Sequence, residues 1–223
     1  MLSLEQINDA DHIVISLPSD ADDALIASAN ALYSFILTQH KKVSFYSECE
    51  DSKKNLSFLP WMDKLKNSYP SSADMDIKLE SSKDVFSFFK SNEIKLNSKM
   101  ATSLYASLIA RTKGFLNNVN GITFALAYEL VEAGADVDSC NRYILNYNSL
   151  ASLRLKAILL KKMVLSDSGE TALINLEDSD LKCSGSTLKD AKIVVKDALS
   201  LPTVNRVIVK YKNKEIFNEG DLV

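Results

Sequence analysis

Glycine and histidine are both scarce in this sequence. Six glycines in 223 residues leave little room for a phosphate-binding loop or a dinucleotide fingerprint, and neither motif occurs. The two histidines, His12 and His40, are too few for a histidine-rich metal centre. No G-x-S-x-G motif is present, and no histidine is placed to serve a serine or a cysteine. The sequence therefore gives no support to nucleophilic catalysis.

Cysteine and positive charge are limited as well. Cys49, Cys140 and Cys183 are scattered without C-x-x-C spacing, which predicts buried thiols in a reducing compartment and excludes a zinc site or a disulfide framework. The net charge of −3 provides no basic field. Duplex nucleic acid is therefore not an expected partner.

Long apolar runs are missing too. No stretch approaches the roughly 18 apolar residues that span a bilayer, so a membrane partner is not expected. The first residues, MLSLEQINDAD, show no basic segment followed by an apolar one, which predicts no secretion signal and a cytoplasmic location. The 46% apolar content is ordinary for a soluble globular protein.

The most informative stretch is residues 12–28, HIVISLPSDADDALIAS. The apolar run Ile13–Ile15 is typical of a strand buried on both faces, and Pro18 ends it. From Ala24 onward, apolar residues recur at helical spacing. A strand, an acidic turn and a helix in this order place the acids at the carboxyl end of a strand, where open α/β sheets bind ligands.

The acids of this turn are Asp20, Asp22 and Asp23. Clustered carboxylates suit hard cations such as Mg²⁺ and Mn²⁺, which prefer oxygen ligands. The structural alternative is that Asp20 caps the following helix and that its neighbours favour the helix dipole. The residues alone leave both interpretations open.

The remaining pattern predicts an α/β fold with a mostly parallel sheet and flanking helices. Residues 43–46 form a second strand reached through a crossover helix, which makes a parallel βαβ unit. Residues 76–80 form a third strand. Helices are expected at 82–90, from 97 or 98 onward, at 122–133, at 136–147 and at 150–163. In the last of these, the predicted shared face is Leu150, Leu153, Ala157, Leu160 and Met163.

After this helix the pattern changes to short strands and turns around one helix. We therefore place a domain boundary near residue 148, with the helix at 150–163 as the connector. The predicted first domain is 1–147. The region 148–223 then holds a helical connector and a small α+β part, with strands at 171–176 and 204–212 around a helix at 188–199.

In this order, the motifs resemble the DHH phosphoesterase superfamily, which includes oligoribonucleases and exopolyphosphatases. The similar stretches are residues 13–36, the MATSLYASLIARTKGF segment at 100–115, and the Leu-x-x-x-Gly-Ala-Asp pattern at 130–136. The resemblance implies a DHH-like fold whose second domain binds substrate. It also implies hydrolysis of phosphoesters by a pair of Mn²⁺ or Mg²⁺ ions, which activate water and neutralise phosphate charge.

The chain departs from that family where the metals would bind. Pro18 stands in place of the family's first histidine, Asp22 matches the first aspartate, and Ala24 stands in place of the second unless a one-residue slip brings Asp23 there. Arg111 occupies the position of a loop aspartate. The Asp-His-His loop itself is absent, and so is the glycine- and histidine-rich loop of the substrate domain, so residues 148–223 resemble a truncated form of that domain.

The retained positions define the ligand-binding residues that the resemblance implies: Ser28, Arg111 and Thr112. Replacing a metal-facing carboxylate by Arg111 shifts the site by two charge units. At a few ångströms, this repels a divalent cation by several kcal/mol even at an effective dielectric constant near 20. We therefore expect a scaffold with largely lost metal ligands, no required cofactor, and a binding or interaction role.

Two roles for Arg111 follow from this expectation. It pairs with Asp20 or Asp22 and replaces the cation structurally, or it binds an anionic ligand such as a nucleotide.

The alternative function is an active Mn²⁺- or Mg²⁺-dependent phosphoesterase acting on short oligonucleotides or other small phosphodiesters, with His12 added to the acids as a ligand. A different α/β protein with the same motif order by chance also remains open. The missing loop suggests self-association or a protein partner.

Overall fold

The chain divides into two units, residues 1–147 and 148–223, each with its own four-stranded sheet. The computed structural model describes residues 3–48, 53–146 and 148–220. Each unit has its own hydrophobic core.

The first unit is built on a parallel sheet, as the sequence predicts. Its strands are β1 (His12–Leu17), β2 (Lys42–Ser47), β3 (Leu65–Lys66) and β4 (Met75–Lys78). Their order is β3-β2-β1-β4, and every pair is parallel. The central position of β1 explains its composition, because Ile13, Val14 and Ile15 are fully buried and a strand covered on both faces must be apolar throughout.

The helices of this unit begin at polar caps that the sequence signals. Their bounds are α1 (Leu4–Asp9), α2 (Asp23–Thr38), α3 (Lys53–Leu56), α4 (Ser82–Ser91), α5 (Ser98–Thr112), α6 (Gly121–Glu132) and α7 (Val137–Cys140). Ser81 caps α4 and Asn97 caps α5, so those predicted starts are confirmed. Gly134 follows α6 with φ +86°, the left-handed conformation that glycine adopts without a steric penalty.

Helices α2 and α5 pack against each other in the core of the first unit. Two serines of α5 fix this antiparallel contact. The Ser107 hydroxyl donates to the carbonyl of Ala24 (2.7 Å), and the Ser103 hydroxyl donates to Oδ1 of Asn30 (2.9 Å). The later serine of α5, Ser107, contacts the earlier residue of α2, Ala24, and the earlier serine contacts the later residue. The carboxyl end of α5 therefore lies beside the amino end of α2.

The segment predicted as one helix at 136–147 is less regular. Helix α7 ends at Cys140 and continues as a π-helical turn over Asn141–Leu145. Tyr147 lies outside the described residues. After Trp61 the chain forms a short 3-10 turn over Met62–Lys64.

The second unit begins with α8 (Leu150–Lys162) and contains a mixed sheet. Its further elements are β5 (Val164–Ser166), β6 (Thr171–Leu176), α9 (Asp178–Ser184), α10 (Ile193–Ala198), β7 (Arg206–Tyr211) and β8 (Lys214–Gly220). A 3-10 turn at Leu188–Lys192 precedes α10. Strands β6 and β7 are parallel, while β5 and β8 run antiparallel at the two edges. The sequence predicts β6, β7 and the helix before β7, but not β5, α9 or β8.

The predicted apolar face of α8 is correct only at its carboxyl end, where Leu160 and Met163 pack against the core of the second unit. Leu150 and Leu153 are 63% and 45% exposed, whereas Leu155 and Leu159 are fully buried. The leucines of this helix lie on more than one side, so their spacing alone does not identify the packed side. Contact with the sheet of the second unit decides it.

The cysteine prediction is correct for one residue only. Cys140 is buried, and this burial raises the pKa of its thiol to about 12. Cys183 is exposed on α9, which corrects the expectation of buried thiols throughout, and Cys49 lies outside the described residues. None of the described helices is both long and apolar enough to cross a membrane.

Candidate functional site

A pocket of about 320 Å³ lies where β1 and β4 of the parallel sheet end. Both strands run in the same direction, so the loops that follow them meet at one edge of the sheet. Five charged residues line the pocket: Asp20 and Asp22 after β1, Glu80 after β4, Lys83 at the start of α4, and Arg111 at the end of α5. The site thus combines charges of both signs.

The acids after β1 have different roles. Oδ1 of Asp22 accepts a hydrogen bond from the amide of Leu25 (2.7 Å) and caps α2. The cap predicted at Asp20 is therefore wrong, because the helix begins two residues later. Asp20 is exposed, and no side-chain hydrogen bond to it occurs within the described chain.

Asp23 does not line the pocket. It is the first residue of α2 and is half-buried. This burial, and to a smaller extent the neighbouring charge of Asp22, raise the pKa of its carboxyl above the usual value. Asp20 and Asp22 therefore share the pocket, whereas Asp23 lies outside its lining.

The donor set does not fit a metal pair. Within the described ranges, no group of three or more histidine, cysteine, aspartate or glutamate side chains is close enough to hold a metal ion. One of the acids, Asp22, already caps a helix, and the guanidinium of Arg111 contributes positive charge to the same pocket. A divalent pair requires several converging carboxylates or histidines.

Arg111 has no carboxylate partner among the residues that the structure describes. Its Cζ atom lies 5.3 Å from the ring centroid of Phe86 on α4, a cation–π contact that supports the guanidinium without using its N–H donors. Of the two roles expected for Arg111, the structural ion pair with Asp20 or Asp22 is not formed. The N–H groups remain available to an anion in the pocket.

The amino end of α4 provides further donors. Ser81, Ser82 and Lys83 line the pocket together, and the Ser81 hydroxyl caps the helix by accepting from the amide of Lys83 (3.2 Å). Helix amino termini favour anions because their first amides have no partners within the helix. Lys83 adds a full positive charge at the same point.

Two of the implied ligand-binding residues do not join the pocket. Ser28 is fully buried within α2, and its hydroxyl donates to the carbonyl of Leu25 (2.8 Å). Thr112 is also fully buried; its hydroxyl donates to the carbonyl of Leu108 and accepts from the amide of Phe115. Both hydroxyls stabilise local backbone, and neither residue lines the pocket.

His12, the additional ligand considered for an active metal centre, lies at the opposite end of β1. It is 6% exposed. Its Nε2 is 2.8 Å from the hydroxyl of Ser44, and its Nδ1 is 3.0 Å from the carbonyl of Ser72. A strand of six residues separates it from the pocket by roughly 20 Å. His12 is therefore a structural residue and cannot share an ion with Asp20.

Sequence reasoning missed Glu80 and Lys83. Glu80 is the last residue of the predicted strand at 76–80, and Lys83 lies at the start of the predicted helix at 82–90. The rule that ligands bind at the carboxyl ends of parallel strands was applied to β1 only. Applied to the strand at 75–78 as well, it would have placed these two residues at the site.

Comparison with known proteins extends the interpretation of the fold. No protein-family model and no curated protein matches this sequence. Among solved structures, an exopolyphosphatase-related protein from Bacteroides fragilis matches with a TM-score of 0.73 and 20% identity, over 92% of this chain and 77% of that one. A putative family II inorganic pyrophosphatase from Methanococcus jannaschii gives a TM-score of only 0.32, with 14% identity over 90% and 82% of the two chains.

The second of these scores is too low to support any comparison. The first shows that this chain shares its fold with the exopolyphosphatase-related protein. The chain therefore has an α/β fold that it shares with this neighbour, and its first unit is a parallel four-stranded sheet flanked by helices.

Proposed function

We propose that this chain is a non-catalytic DHH-like protein that binds a small phosphate-bearing ligand at the carboxyl edge of its first sheet. The observation that carries the proposal is the state of Arg111. Its guanidinium lines a pocket with Asp20 and Asp22, but no described carboxylate forms an ion pair with it. An arginine that merely replaced a metal ion would be paired with those acids.

The ligand chemistry follows from the signs of the charges. Arg111, Lys83 and the amino end of α4 favour a phosphate group. Asp20 and Glu80 repel a bare anion but accept hydrogen bonds from hydroxyl or amino groups. A nucleoside monophosphate carries a phosphate and such donors on one molecule. It therefore fits this pocket better than inorganic phosphate does.

Binding, without turnover, is the activity that these residues support. Hydrolysis of a phosphoester in this family type requires metal-activated water, and the described acids do not form a metal cluster. Cation–π contact with Phe86 holds the guanidinium in place before the ligand arrives, which reduces the entropic cost of binding. No step of bond cleavage is assigned to this pocket.

Calorimetric titration with adenosine monophosphate in the presence of a chelator tests this function. Arg111→Ala should weaken binding about 10- to 100-fold, because a charge-assisted bidentate contact is lost. Arg111→Lys keeps the charge and should give an intermediate loss. Arg142→Ala is a matched control: its Cζ lies 5.6 Å from the ring of Tyr143, a similar stacking geometry outside the pocket.

Two results would contradict the proposal. One is the absence of nucleotide binding at millimolar concentration, or equal affinity in the wild type and in Arg111→Ala. The other is Mn²⁺-dependent hydrolysis of a dinucleotide that disappears in Asp22→Ala. The second result would instead support the alternative, a metal-dependent phosphoesterase with rearranged ligands.

A further inference from the structure

Helix α6 and the turn before it carry a large apolar surface that faces solvent. Five large apolar side chains of this region are between 44% and 72% exposed: Leu116, Ile122, Phe124, Tyr128 and Val131. The buried residues of α6 are Thr123 and Leu130, which attach the helix to the first unit along its other side. One exposed apolar residue is ordinary, but a group of them on one helix marks an interaction surface.

The exposed residues are arranged as a helix-packing surface. Phe124, Tyr128 and Val131 form one stripe along α6, because they are four and three positions apart. Phe124 is held in this stripe, since its ring stacks on that of Phe115 with 5.6 Å between the centroids and 18° between the planes. A stripe with this spacing is the surface that one helix presents to another. The patch therefore fits a second helix.

The charges of α6 disfavour a membrane and select the direction of a partner helix. Glu129 and Glu132 are its only charged residues, whereas helices that bind to a membrane surface carry lysine and arginine beside the apolar face. Acids near the carboxyl end are opposed by the dipole of their own helix, and α6 has no basic residue in its last turn. The amino end of an antiparallel helix supplies positive potential at that point.

We propose that this partner is α6 of a second copy of the chain, packed antiparallel about a two-fold axis through the middle of the helix. In this register, centred on the 12-residue helix, Ala125 of each copy is level with Tyr128 of the other, so a small residue meets a large one. Glu132 is level with Gly121 of the other copy, where the first amides have no partners within the helix. The helix is thus complementary to itself in size and in charge, as a two-fold interface requires.

The exposed area is sufficient for a dimer. At ordinary side-chain sizes, the five apolar side chains expose on the order of 600 Å² per copy. A pair would bury about 1,200 Å², which is the lower limit of a specific protein interface. Tyr128 of each copy lies next to the axis, and tyrosine is among the residues that contribute most binding energy at the centre of interfaces. We expect a reversible dimer whose population depends on concentration.

Sedimentation velocity over a concentration series measures the dimer dissociation constant of the full chain. Wild type should dimerise, and Tyr128→Glu should weaken the dimer about 30-fold or more, because it removes the central aromatic residue and places two carboxylates next to the axis. Leu150→Glu on α8 is the matched control, since Leu150 is 63% exposed and Tyr128 is 66% exposed. It should leave the dissociation constant unchanged.

Glu132→Lys separates the dimer contact from the stability of the helix itself. A lysine at the carboxyl end is favoured by the dipole of its own helix, so urea unfolding of the dilute monomer should show equal or higher stability. In the dimer the same lysine meets the amino end of the other helix, and the dissociation constant should rise about 3- to 30-fold. A change that only damaged the fold would lower the stability as well. Circular dichroism verifies that each variant is folded.

Four results would overturn the proposal. The first is a wild type that remains monomeric at high concentration, which would leave the α6 surface to a different protein. The second is a dimer that Tyr128→Glu does not weaken. The third is a dimer that Leu150→Glu weakens as much as Tyr128→Glu does, because α8 would then take part in the interface. The fourth is a dissociation constant that Glu132→Lys leaves unchanged, which would contradict the antiparallel arrangement.

Discussion

The two ends of strand β1 both carry polar clusters, but they differ in how completely those clusters are paired. At the amino end, His12 bonds to Ser44 and Ser72, and Asp74 accepts from two backbone amides. At the carboxyl end, Asp20, Glu80, Lys83 and Arg111 share a pocket without a side-chain hydrogen bond or ion pair to any described residue.

The paired residues at the amino end of β1 contribute to stability, whereas the unpaired charges at its carboxyl end are available for binding. His12 is buried at the amino end, and both of its ring nitrogens are paired because a buried polar group is expensive to leave unpaired. The charges at the carboxyl end face an open pocket, where water or a ligand satisfies them. Changes at the first end should therefore alter the free energy of unfolding, and changes at the second should alter affinity.

The largest expected effect is at the amino end. His12→Ala should lower the free energy of unfolding by about 2–4 kcal/mol, because it removes a buried side chain and leaves the hydroxyls of Ser44 and Ser72 without it. Urea unfolding followed by the fluorescence of Trp61, the single tryptophan, reports on this unit. His40→Asn is the control and should be nearly neutral, because His40 is exposed at φ 58° and asparagine tolerates that conformation. A loss below about 0.5 kcal/mol for His12→Ala is what an ordinary surface substitution gives. Such a result would contradict the structural role of His12 and with it the difference between the two ends of β1.

The next effect is at the carboxyl end. Arg111→Asp exchanges a positive charge for a carboxylate beside Asp20 and Asp22, so Mn²⁺ affinity measured by calorimetry should rise about tenfold or more. Arg142→Asp, outside the pocket, should leave Mn²⁺ affinity unchanged. If both variants bind Mn²⁺ as the wild type does, the charge of Arg111 does not control metal binding.

A smaller effect on the free energy of unfolding distinguishes Asp22 from Asp20 in the pocket. Asp22→Ala removes the cap of α2 and should lower the free energy of unfolding by about 1 kcal/mol. Asp20→Ala should change it by less than about 0.5 kcal/mol, because the side chain is exposed and makes no described hydrogen bond. Equal losses in the two variants would contradict the assignment of the cap to Asp22.

The smallest effect is a pH dependence at the amino end. Hydrogen bonds from the amides of Asp11 and His12 lower the pKa of the Asp74 carboxyl below its usual 3.8. A lowered folded-state pKa stabilises the protein above the unfolded pKa, and this contribution is lost as the pH falls through the folded pKa. The stability difference between wild type and Asp74→Asn should therefore be largest near neutral pH and shrink below about pH 4. A difference that stays constant down to pH 3 would contradict this origin.

The regular parts of the fold were accessible from the sequence, because their signals are local. The buried strand at Ile13–Ile15, the caps at Ser81 and Asn97 and the left-handed Gly134 each depend on a few neighbouring residues. Short or irregular elements were not predicted: β5 has only three residues, and the π-helical turn after Cys140 breaks a helical pattern. Their conformation depends on contacts with distant segments.

The candidate site shows the same limit. The sequence by itself determined that acids follow a buried strand and that Arg111 stands where the resembling family has a carboxylate. Only the tertiary structure decided which of them meet: Asp20, Asp22 and Arg111 line one pocket with Glu80 and Lys83, whereas Asp23, Ser28 and Thr112 do not. The physical reason is that burial and hydrogen bonding depend on neighbours brought together by folding. A serine that looks like a ligand in the sequence is, inside α2, a donor to its own helix.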